Sequence, residues 1–441
     1  MNRPIGRTGR ERSSSPDGGA PGLVYDWNEA AESARPPAGA VELDDETLRD
    51  GLQSPSAVSP PVALKIELLH HMEALDIDAA DIGYAGAGPQ TLADVVALAQ
   101  EIAASGLRIR PNCAARTADS DILPIAEAQQ RSGVAIEAAL FLGSSPIRQY
   151  TEGWEIDFLL RTTQHAVGLA RELGLEVMYV TEDTTRADRE HLRRLYTTAI
   201  EAGARRICIA DTVGHATPWG VQNLVRFIRE VVADTGEDVK LDWHGHRDRG
   251  LDVINSIVAL TEGVHRVHAC GLGIGERVGN TPMDLLLVNL KLLGWIDRDL
   301  SALPAYCQAV ADATGFEVPP NYPVIGKDAF VTSTGVHAAA ILKALRKGDL
   351  WLADRVYSSV PARDFGREQV IMVGPMSGQA NVVAWLRERG LEADPETVER
   401  IFAAAKVSDR VLRDEEILAL MPPATAPPRR PRAAGSRSSQ A

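Results

Sequence analysis

Short β-type runs alternate with longer stretches of helical periodicity through the middle of the chain. The helical stretches include an apolar stripe at Ile66, Leu69, Met72 and Leu75 and a segment, 92–106, that ends at a glycine. The β-type runs lie at residues 40–45, 77–86, 107–113, 134–142, 175–181, 205–211, 238–244 and 265–271. Strands that alternate with helices form parallel βαβ units, and eight such units predict an α/β protein with a closed TIM (β/α)8 barrel. A doubly wound open sheet is the alternative.

The composition divides the chain of 441 residues into four segments. Residues 1–39 and 422–441 are rich in Pro, Gly, Ser, Ala and Arg, and we expect both segments to be disordered. Residues 40–300 are expected to form the catalytic barrel. Residues 301–421 are expected to form a mostly helical linker region with subdomains of its own.

Composition and charge exclude several classes of function. No apolar run approaches the roughly 20 residues of a membrane helix, and the N-terminus lacks the apolar core of a signal peptide. The four cysteines form no CxxC pair, which disfavours a disulfide framework and favours a cytoplasmic location. The net charge of −14 is a poor match for nucleic acid. We therefore expect neither a membrane nor a nucleic acid as partner.

Polar side chains follow the predicted strands at the end of a barrel where active sites form. Their concentration at this end predicts a site that binds and transforms a small molecule. Apart from possible metal ligands, which the next paragraph describes, the candidate site residues are Arg49, Gln53, Arg116, Arg148, Glu182 and Thr212.

Two histidines at the end of the seventh strand predict a metal site. His244 and His246 are two residues apart, so both rings face one side of a strand. Asp50 and Asn280 follow the first and eighth strands, which neighbour the seventh in a closed barrel. One carboxylate, two imidazoles and one amide oxygen suit Mg, Mn, Co or Zn and leave positions open for a chelating substrate. The alternative is that the two histidines bind no metal ion.

Six motifs in order resemble the acyl-CoA Claisen-condensing synthases, which include the 2-isopropylmalate, homocitrate and citramalate synthases. The motifs are "DETLRDGLQ", "TEDTTR", "ADTVGHATP", "HGHRDRGLDVINS", "GIGERVGN" and "GKDAFVTSTGVHAAAILK". The resemblance covers residues 40–420. It implies a TIM barrel with a helical linker region, a divalent metal, and the condensation of acetyl-CoA with a 2-oxo acid followed by hydrolysis of the thioester.

The resemblance also implies roles for individual residues. The metal ligands would be Asp50, His244, His246 and Asn280. Arg49 would stabilise the negative charge that develops on the keto oxygen, Thr212 would hold the carboxylate of the 2-oxo acid, and Glu182 would lie near the reacting carbons. His337 would reach the site from the linker region, often of a partner subunit, with Tyr357 as a weaker candidate. This implies a homodimer with a shared active site.

The sequence also departs from the family pattern, and one departure bears on the substrate. Leu52, His215, Arg247 and Leu272 replace other residues of the motifs, although none of them is a proposed ligand. Arg148 in "SSPIRQY" stands where isopropylmalate synthases usually carry another residue, and it raises the chance of a 2-oxo acid with a second carboxylate. The alternative is a rim ion pair with Glu152 or Glu155.

The broader match favours a 2-isopropylmalate synthase of leucine biosynthesis that acts on 2-oxoisovalerate. Homocitrate and citramalate synthases are the nearest alternatives. Lyases and aldolases that share "TLRDG" and the histidine pair, and a barrel without catalytic activity, are the alternatives of other classes. Metal content and turnover of acetyl-CoA would separate an enzyme from an inactive barrel.

Overall fold

A computed structural model describes residues 23–24, 28, 37 and 39–422 of the chain. The predictions for the two terminal segments therefore lie almost entirely outside the described residues. Eight parallel strands form one closed barrel in the order β1 to β8, and β1 pairs with β8 to close it. The strands are β1 Glu42–Asp45, β2 Ala79–Asp81, β3 Arg110–Arg116, β4 Glu137–Gly143, β5 Glu176–Glu182, β6 Arg206–Asp211, β7 Lys240–Gly245 and β8 Arg266–Ala269. The prediction of a TIM barrel is confirmed.

Helices follow the strands and cover the outside of the barrel. The helices of this part of the chain are α1 Val62–Ala74, α2 Pro89–Ser105, α3 Asp119–Ser132, α4 Pro146–Glu152, α5 Ile156–Glu172, α6 Arg189–Glu201, α7 Pro218–Thr235, α8 Asp252–Thr261, α9 Met283–Leu292 and α10 Leu303–Thr314. The sequence sets the bounds of α7 clearly. Thr217 accepts a hydrogen bond from the Gly220 amide, Pro218 occupies the first turn, and Gly236 ends the helix at a φ of 71°.

The chain contains two compact units. The barrel unit continues to Ala329 and includes Ala362–Glu368. The predicted division at residue 301 stays a prediction. Helix α10 belongs to the barrel unit because Tyr306 is fully buried and donates a hydrogen bond to Asp45 at the end of β1 (2.5 Å). A buried tyrosine with a barrel partner binds α10 to the barrel.

Among the described residues, the second unit comprises Phe330–Pro361 and residues 369–422. It contains a two-stranded parallel sheet and two apolar clusters, one around Trp385 and one around Ile341. Its elements are β9 Val331–Thr332, α11 Gly335–Arg346, α12 Leu350–Arg355, β10 Val370–Ile371, α13 Gln379–Glu388, α14 Pro395–Val407 and α15 Asp414–Ala419. Among the described residues, no helix of either unit is long and apolar enough to cross a membrane.

An ionic cluster fills part of the barrel interior below the carboxyl ends of the strands. Asp242 of β7 accepts hydrogen bonds from Arg206 (2.6 Å) and Arg266 (2.7 Å), and Arg266 also reaches Glu137 (2.6 Å). Although burial disfavours the charged carboxylate, the two arginines lower the pKa of Asp242 strongly. Fully buried charges persist only when they are paired in this way.

Candidate active site

A cavity of about 270 Å3 opens at the carboxyl end of the barrel. The register of the strands brings their ends to one level, since Gly143 pairs with Glu182 and Asp211 pairs with Gly245. Side chains that are far apart in sequence therefore face the same space. The predicted site residues that line this cavity are Arg49, Asp50, Gln53, Glu182, Thr212, His244 and His246.

The two histidines lie together at the end of β7. Their ring centroids are 5.0 Å apart with an interplanar angle of 72°. The ligand atoms of His244, His246 and Asp50 all lie within 4.8 Å of one another, and all three residues are buried. The strand alternation that places residues 244 and 246 on one side thus produces the cluster expected from the sequence.

Asn280 completes this cluster from the loop after β8. Its backbone pairs with His246 as an isolated β-bridge, and its Nδ2 donates a hydrogen bond to Asp50 Oδ1 (2.8 Å). Two buried atoms, Asn280 Oδ1 and His246 Nδ1, have no hydrogen-bond partner among the described residues. Buried polar atoms normally have partners, so unpaired acceptors beside a carboxylate fit a bound cation.

Gly275 leaves the space in which Asn280 approaches Asp50. It has a φ of +151°, and a Cβ at this position would lie 2.2 Å from Asn280 Nδ2 and 3.2 Å from Asp50 Oδ1. Any side chain would therefore displace the amide that the cluster requires. The glycine-rich stretch "GLGIGERVGN" serves the close packing of this loop around Asn280.

Arg49 joins three carboxylates beside the cluster. Its guanidinium contacts Asp81 (Nε to Oδ2, 2.7 Å), Asp50 (Nη1 to Oδ2, 2.7 Å) and Glu46 (Nη2 to Oε1, 3.0 Å). Burial alone would lower the pKa of Arg49, but the three carboxylates outweigh it and raise that pKa. The pKa of Asp50 is lowered because Arg49 and His244 outweigh the effect of burial. Both groups are therefore charged at neutral pH.

Burial and the neighbouring His244 lower the pKa of His246 to about 4. At neutral pH the ring of His246 is therefore uncharged and keeps a lone pair on one nitrogen. A neutral imidazole is the form that binds a metal ion. The electrostatics of the cluster agree with the set of donors: Asp50 offers an anionic oxygen, and His246 offers a neutral nitrogen.

Glu182 lines the cavity at the end of β5, and Arg148 lies beside it on α4, outside the lining. Burial raises the pKa of Glu182 despite the attraction of Arg148, whose Nε lies 3.5 Å from Glu182 Oε1. Arg148 Nη1 lies 2.7 Å from Glu152, and its guanidinium lies over the Trp154 ring at 5.6 Å. The rim ion pair with Glu152, one of the two arrangements that the sequence left open, is therefore present.

Of the remaining predicted residues, Thr212 lines the cavity, whereas Arg116 and His337 do not. Thr212 accepts a hydrogen bond from the Asp183 amide (2.8 Å). Arg116 is outside the lining, because both of its terminal contacts go to Asp121 (2.7 and 2.9 Å). His337 belongs to the second unit, where its exposed ring stacks on Tyr357 with centroids 4.0 Å apart. The roles of Arg116 and His337 stay predictions.

The sequence reading overlooked two groups of lining residues. Glu46 and His268 lie at the floor of the cavity, and their signal was present in the motif "DETLRDG" and in the polar His268 within the apolar run "RVHACG". Tyr84 and Glu276 also line the cavity. The remaining lining residues form an apolar wall with no chemical signature in the sequence. They are Ala114, Ala139, Phe141, Met178, Val180, Cys208 and Ala210.

Comparison with known proteins shows similarity along most of the chain. A family model described as HMGL-like matches residues 40–310. The homocitrate synthase AksA of Methanopyrus kandleri is 31% identical over 377 residues, which are 85% of this chain and 89% of that protein. The 2-isopropylmalate synthase of Heliobacterium modesticaldum is 31% identical over 86% of this chain and 73% of its own.

A further synthase and a solved structure are also similar to this chain. A putative (R)-citramalate synthase of Archaeoglobus fulgidus is 31% identical over 83% of this chain and 71% of its own. Among solved structures, the hydroxymethylglutaryl-CoA lyase of Pseudomonas aeruginosa superposes with a TM-score of 0.51 at 22% identity, covering 62% of this chain and 92% of that one. At that identity the structural match supports the barrel fold only.

Proposed function

From the premise that the chain belongs to the HMGL-like family, we propose that it is a metal-dependent synthase that condenses acetyl-CoA with a 2-oxo acid. The observation that carries the proposal is the joint placement of Asp50, His244, His246 and Asn280 beside Arg49 at the mouth of the barrel. Similar proteins named as synthases support a condensing reaction over a lyase or aldolase reaction.

Each residue of the cluster has a distinct task in the proposed reaction. Asp50, His244, His246 and Asn280 would hold a divalent ion, which when bound polarises the keto group of the 2-oxo acid. Arg49 stabilises the charge that develops on the keto oxygen, and its three carboxylate contacts fix its position before the substrate binds. Thr212 binds the carboxylate of the 2-oxo acid.

The condensation also requires proton transfer at the methyl group of acetyl-CoA. Loss of that proton allows the methyl carbon to bond to the keto carbon, and the keto oxygen takes up a proton to become a hydroxyl group. Water then cleaves the thioester to give a carboxylate and release CoA. We assign the proton transfer to Glu182 and His337. His337 reaches the cavity from the second unit of a partner subunit in a homodimer with shared sites.

The apolar wall of the cavity favours 2-oxoisovalerate as the 2-oxo acid. Ala139, Met178 and Cys208 form a buried apolar cluster against which Val180 packs. A branched apolar side chain is stabilised in such surroundings, whereas a second carboxylate would need a cation. Arg148 is already paired with Glu152 and adjoins Glu182, so the product would be 2-isopropylmalate, an intermediate of leucine biosynthesis. Homocitrate and citramalate synthesis are the second candidates.

The experiment is a screen of the purified protein with acetyl-CoA and a panel of 2-oxo acids, with release of the free CoA thiol as the readout. We expect 2-oxoisovalerate to give the highest kcat/KM. Activity should vanish after dialysis against a chelator and return with Mg, Mn, Co or Zn, because chelation of the substrate requires the ion. Full activity in protein verified to be free of metal would contradict the proposal.

A further inference from the structure

Glu46 occupies a central position in the floor of the cavity. Its Oε1 lies 2.8 Å from His268 Nδ1 and 3.0 Å from Arg49 Nη2, and its Oε2 lies 2.8 Å from His244 Nδ1. Its side chain is only 4% exposed. A buried carboxylate thus stands between one candidate metal ligand and two cationic groups.

Both ring nitrogens of His268 contact carboxylates of the protein. Nδ1 lies 2.8 Å from Glu46 Oε1, and Nε2 lies 2.9 Å from Asp242 Oδ2. Carboxylates only accept hydrogen bonds, so both nitrogens carry hydrogen and the ring has no lone pair for a metal ion. Although Glu46, His244 and His268 lie close enough together to hold an ion, this pairing excludes His268 as a ligand.

The contacts of Glu46 therefore determine which nitrogen of His244 is free. Glu46 Oε2 is buried and lies 2.8 Å from His244 Nδ1, and it has no aligned hydrogen-bond donor among the described residues, His244 included. His244 Nδ1 is therefore the ring nitrogen that faces this carboxylate oxygen. A hydrogen on Nδ1 leaves the lone pair on Nε2, which is directed toward Asp50 at 3.9 Å. Carboxylates that hold a ligand imidazole in this way fix both its tautomer and its orientation.

We propose that Glu46 is a positioning residue that holds His244 with Nδ1 protonated and Nε2 directed at the metal. His268 and Arg49 hold the carboxylate itself from the opposite side. The proposal deepens the proposed function and rests on its metal site, since the effect of Glu46 is exerted through a ligand of that site. The ionic cluster around Asp242 anchors His268, so the orientation of His244 depends on charges in the middle of the barrel.

The test is a measurement of metal affinity in the purified full-length protein, independent of turnover. Co(II) or Zn(II) would be titrated against a competing chelator, and the visible absorption of bound Co(II) would report the geometry of the site. We expect Glu46→Gln to weaken the affinity about 10- to 100-fold and to change the Co(II) spectrum. An affinity and spectrum equal to those of the wild type, in a folded variant, would overturn the proposal.

Glu137→Gln is the matched control. Glu137 also belongs to the buried ionic cluster and contacts Arg266 and Arg206, but it contacts none of the proposed ligands. It should lose part of the cluster's charge and leave metal affinity within a few-fold of the wild type. An equal loss of affinity in both variants would show a general effect of buried charge and would overturn the specific role of Glu46.

Glu46→Asp keeps the proposal testable if the glutamine variant does not fold. Aspartate retains the negative charge beside His268 and Arg49 but is shorter, so its oxygen withdraws from His244. We expect weaker metal binding here as well, and unchanged binding would contradict the proposal.

His246→Ala separates the test of the metal site from the test of Glu46. If the wild type binds metal and His246→Ala does not, the metal site is supported independently of the result for Glu46. A wild type without metal affinity would overturn both the metal site and the role of Glu46.

Discussion

At the scale of single residues, Arg148 shows how a contact decides between two interpretations of one sequence position. An arginine on α4, which follows β4, can bind a distal carboxylate of the substrate or can pair with a carboxylate of the protein. The contact with Glu152 at 2.7 Å and the position over Trp154 favour the second interpretation. A half-exposed ion pair of this kind contributes about 0–1 kcal/mol.

Arg148→Ala tests the choice of substrate at this position. If the pair with Glu152 persists during catalysis, kcat/KM for 2-oxoisovalerate should change less than about threefold, because little binding energy is lost. Kinetics with 2-oxoisovalerate and 2-oxoglutarate would be compared in the wild type and the variant. A wild-type preference for 2-oxoglutarate that collapses in Arg148→Ala would assign homocitrate synthesis instead.

At the scale of elements, the loop between β8 and α9 forms the metal cluster through unusual backbone conformations. Leu272 has a φ of 56°, which is rare for a residue with a branched side chain. Its amide donates a hydrogen bond to Asp284 Oδ1 (2.8 Å) in the first turn of α9. The helix start thus supports the strained turn that precedes Gly275 and Asn280.

Gly275→Ala should disrupt this loop. The new Cβ would lie 2.2 Å from Asn280 Nδ2, and the φ of +151° disfavours any L-residue. We expect a loss of metal affinity of at least tenfold, measured by chelator competition. Gly168→Ala in α5 is the control, because a Cβ there meets nothing within 4 Å. That variant should keep wild-type affinity and gain roughly 0.5–1 kcal/mol of stability. Normal metal binding by Gly275→Ala would contradict the assignment.

Asp284→Asn should alter the pH dependence of stability. Burial raises the pKa of Asp284 from its ordinary value of 3.8 to about 6. A raised folded-state pKa means that the stability contributed by the protonated form is fully present below pH 3.8 and is lost as pH rises to about 6. Asparagine does not ionise, so the variant should gain stability relative to the wild type across this window, by roughly 3 kcal/mol at most.

The measurement is the difference in unfolding free energy between variant and wild type from pH 4.5 to pH 8. Other buried acids titrate in the same range, and the difference cancels their contribution. A flat difference for Asp284→Asn would show that the carboxylate is already ionised at pH 4.5.

At the scale of the whole molecule, the chain carries its proposed chemistry on two compact units. The barrel unit contains the candidate metal cluster, Arg49 and Glu182, whereas His337 belongs to the unit that begins at Phe330. His337 and Tyr357 present stacked and exposed rings on that unit. The proposed shared site would require this surface to meet the mouth of a barrel in the active assembly.

Complementation between two inactive variants tests the shared site. Arg49→Ala and His337→Ala should each lose most activity. Mixed dimers of the two would contain one intact site if His337 comes from the partner subunit, so about a quarter of wild-type activity should return with random exchange. Subunit exchange would be verified by differential tagging. Mixed dimers that remain inactive would place both residues of a site in one chain.

The sequence by itself determined the barrel and predicted seven of the residues that line the candidate site. Eight β-type runs separated by helical periodicity allow few topologies, and the side-chain period of two in a strand places His244 and His246 on one face. The packing of α10 against the barrel could not be predicted, because α10 has an ordinary helical pattern and its buried contact with Asp45 depends on the folded barrel.

Only the tertiary structure decided which charged groups meet inside the barrel. Asp242 and His268 lie on β7 and β8 and Glu46 directly follows β1, so their contacts depend on register rather than on local sequence. The pKa of His246 and the pairing of Arg148 are likewise set by burial and by distances to particular neighbours. A periodic pattern specifies which face of a strand a residue occupies, whereas electrostatic energies depend on separations that arise only when the barrel closes.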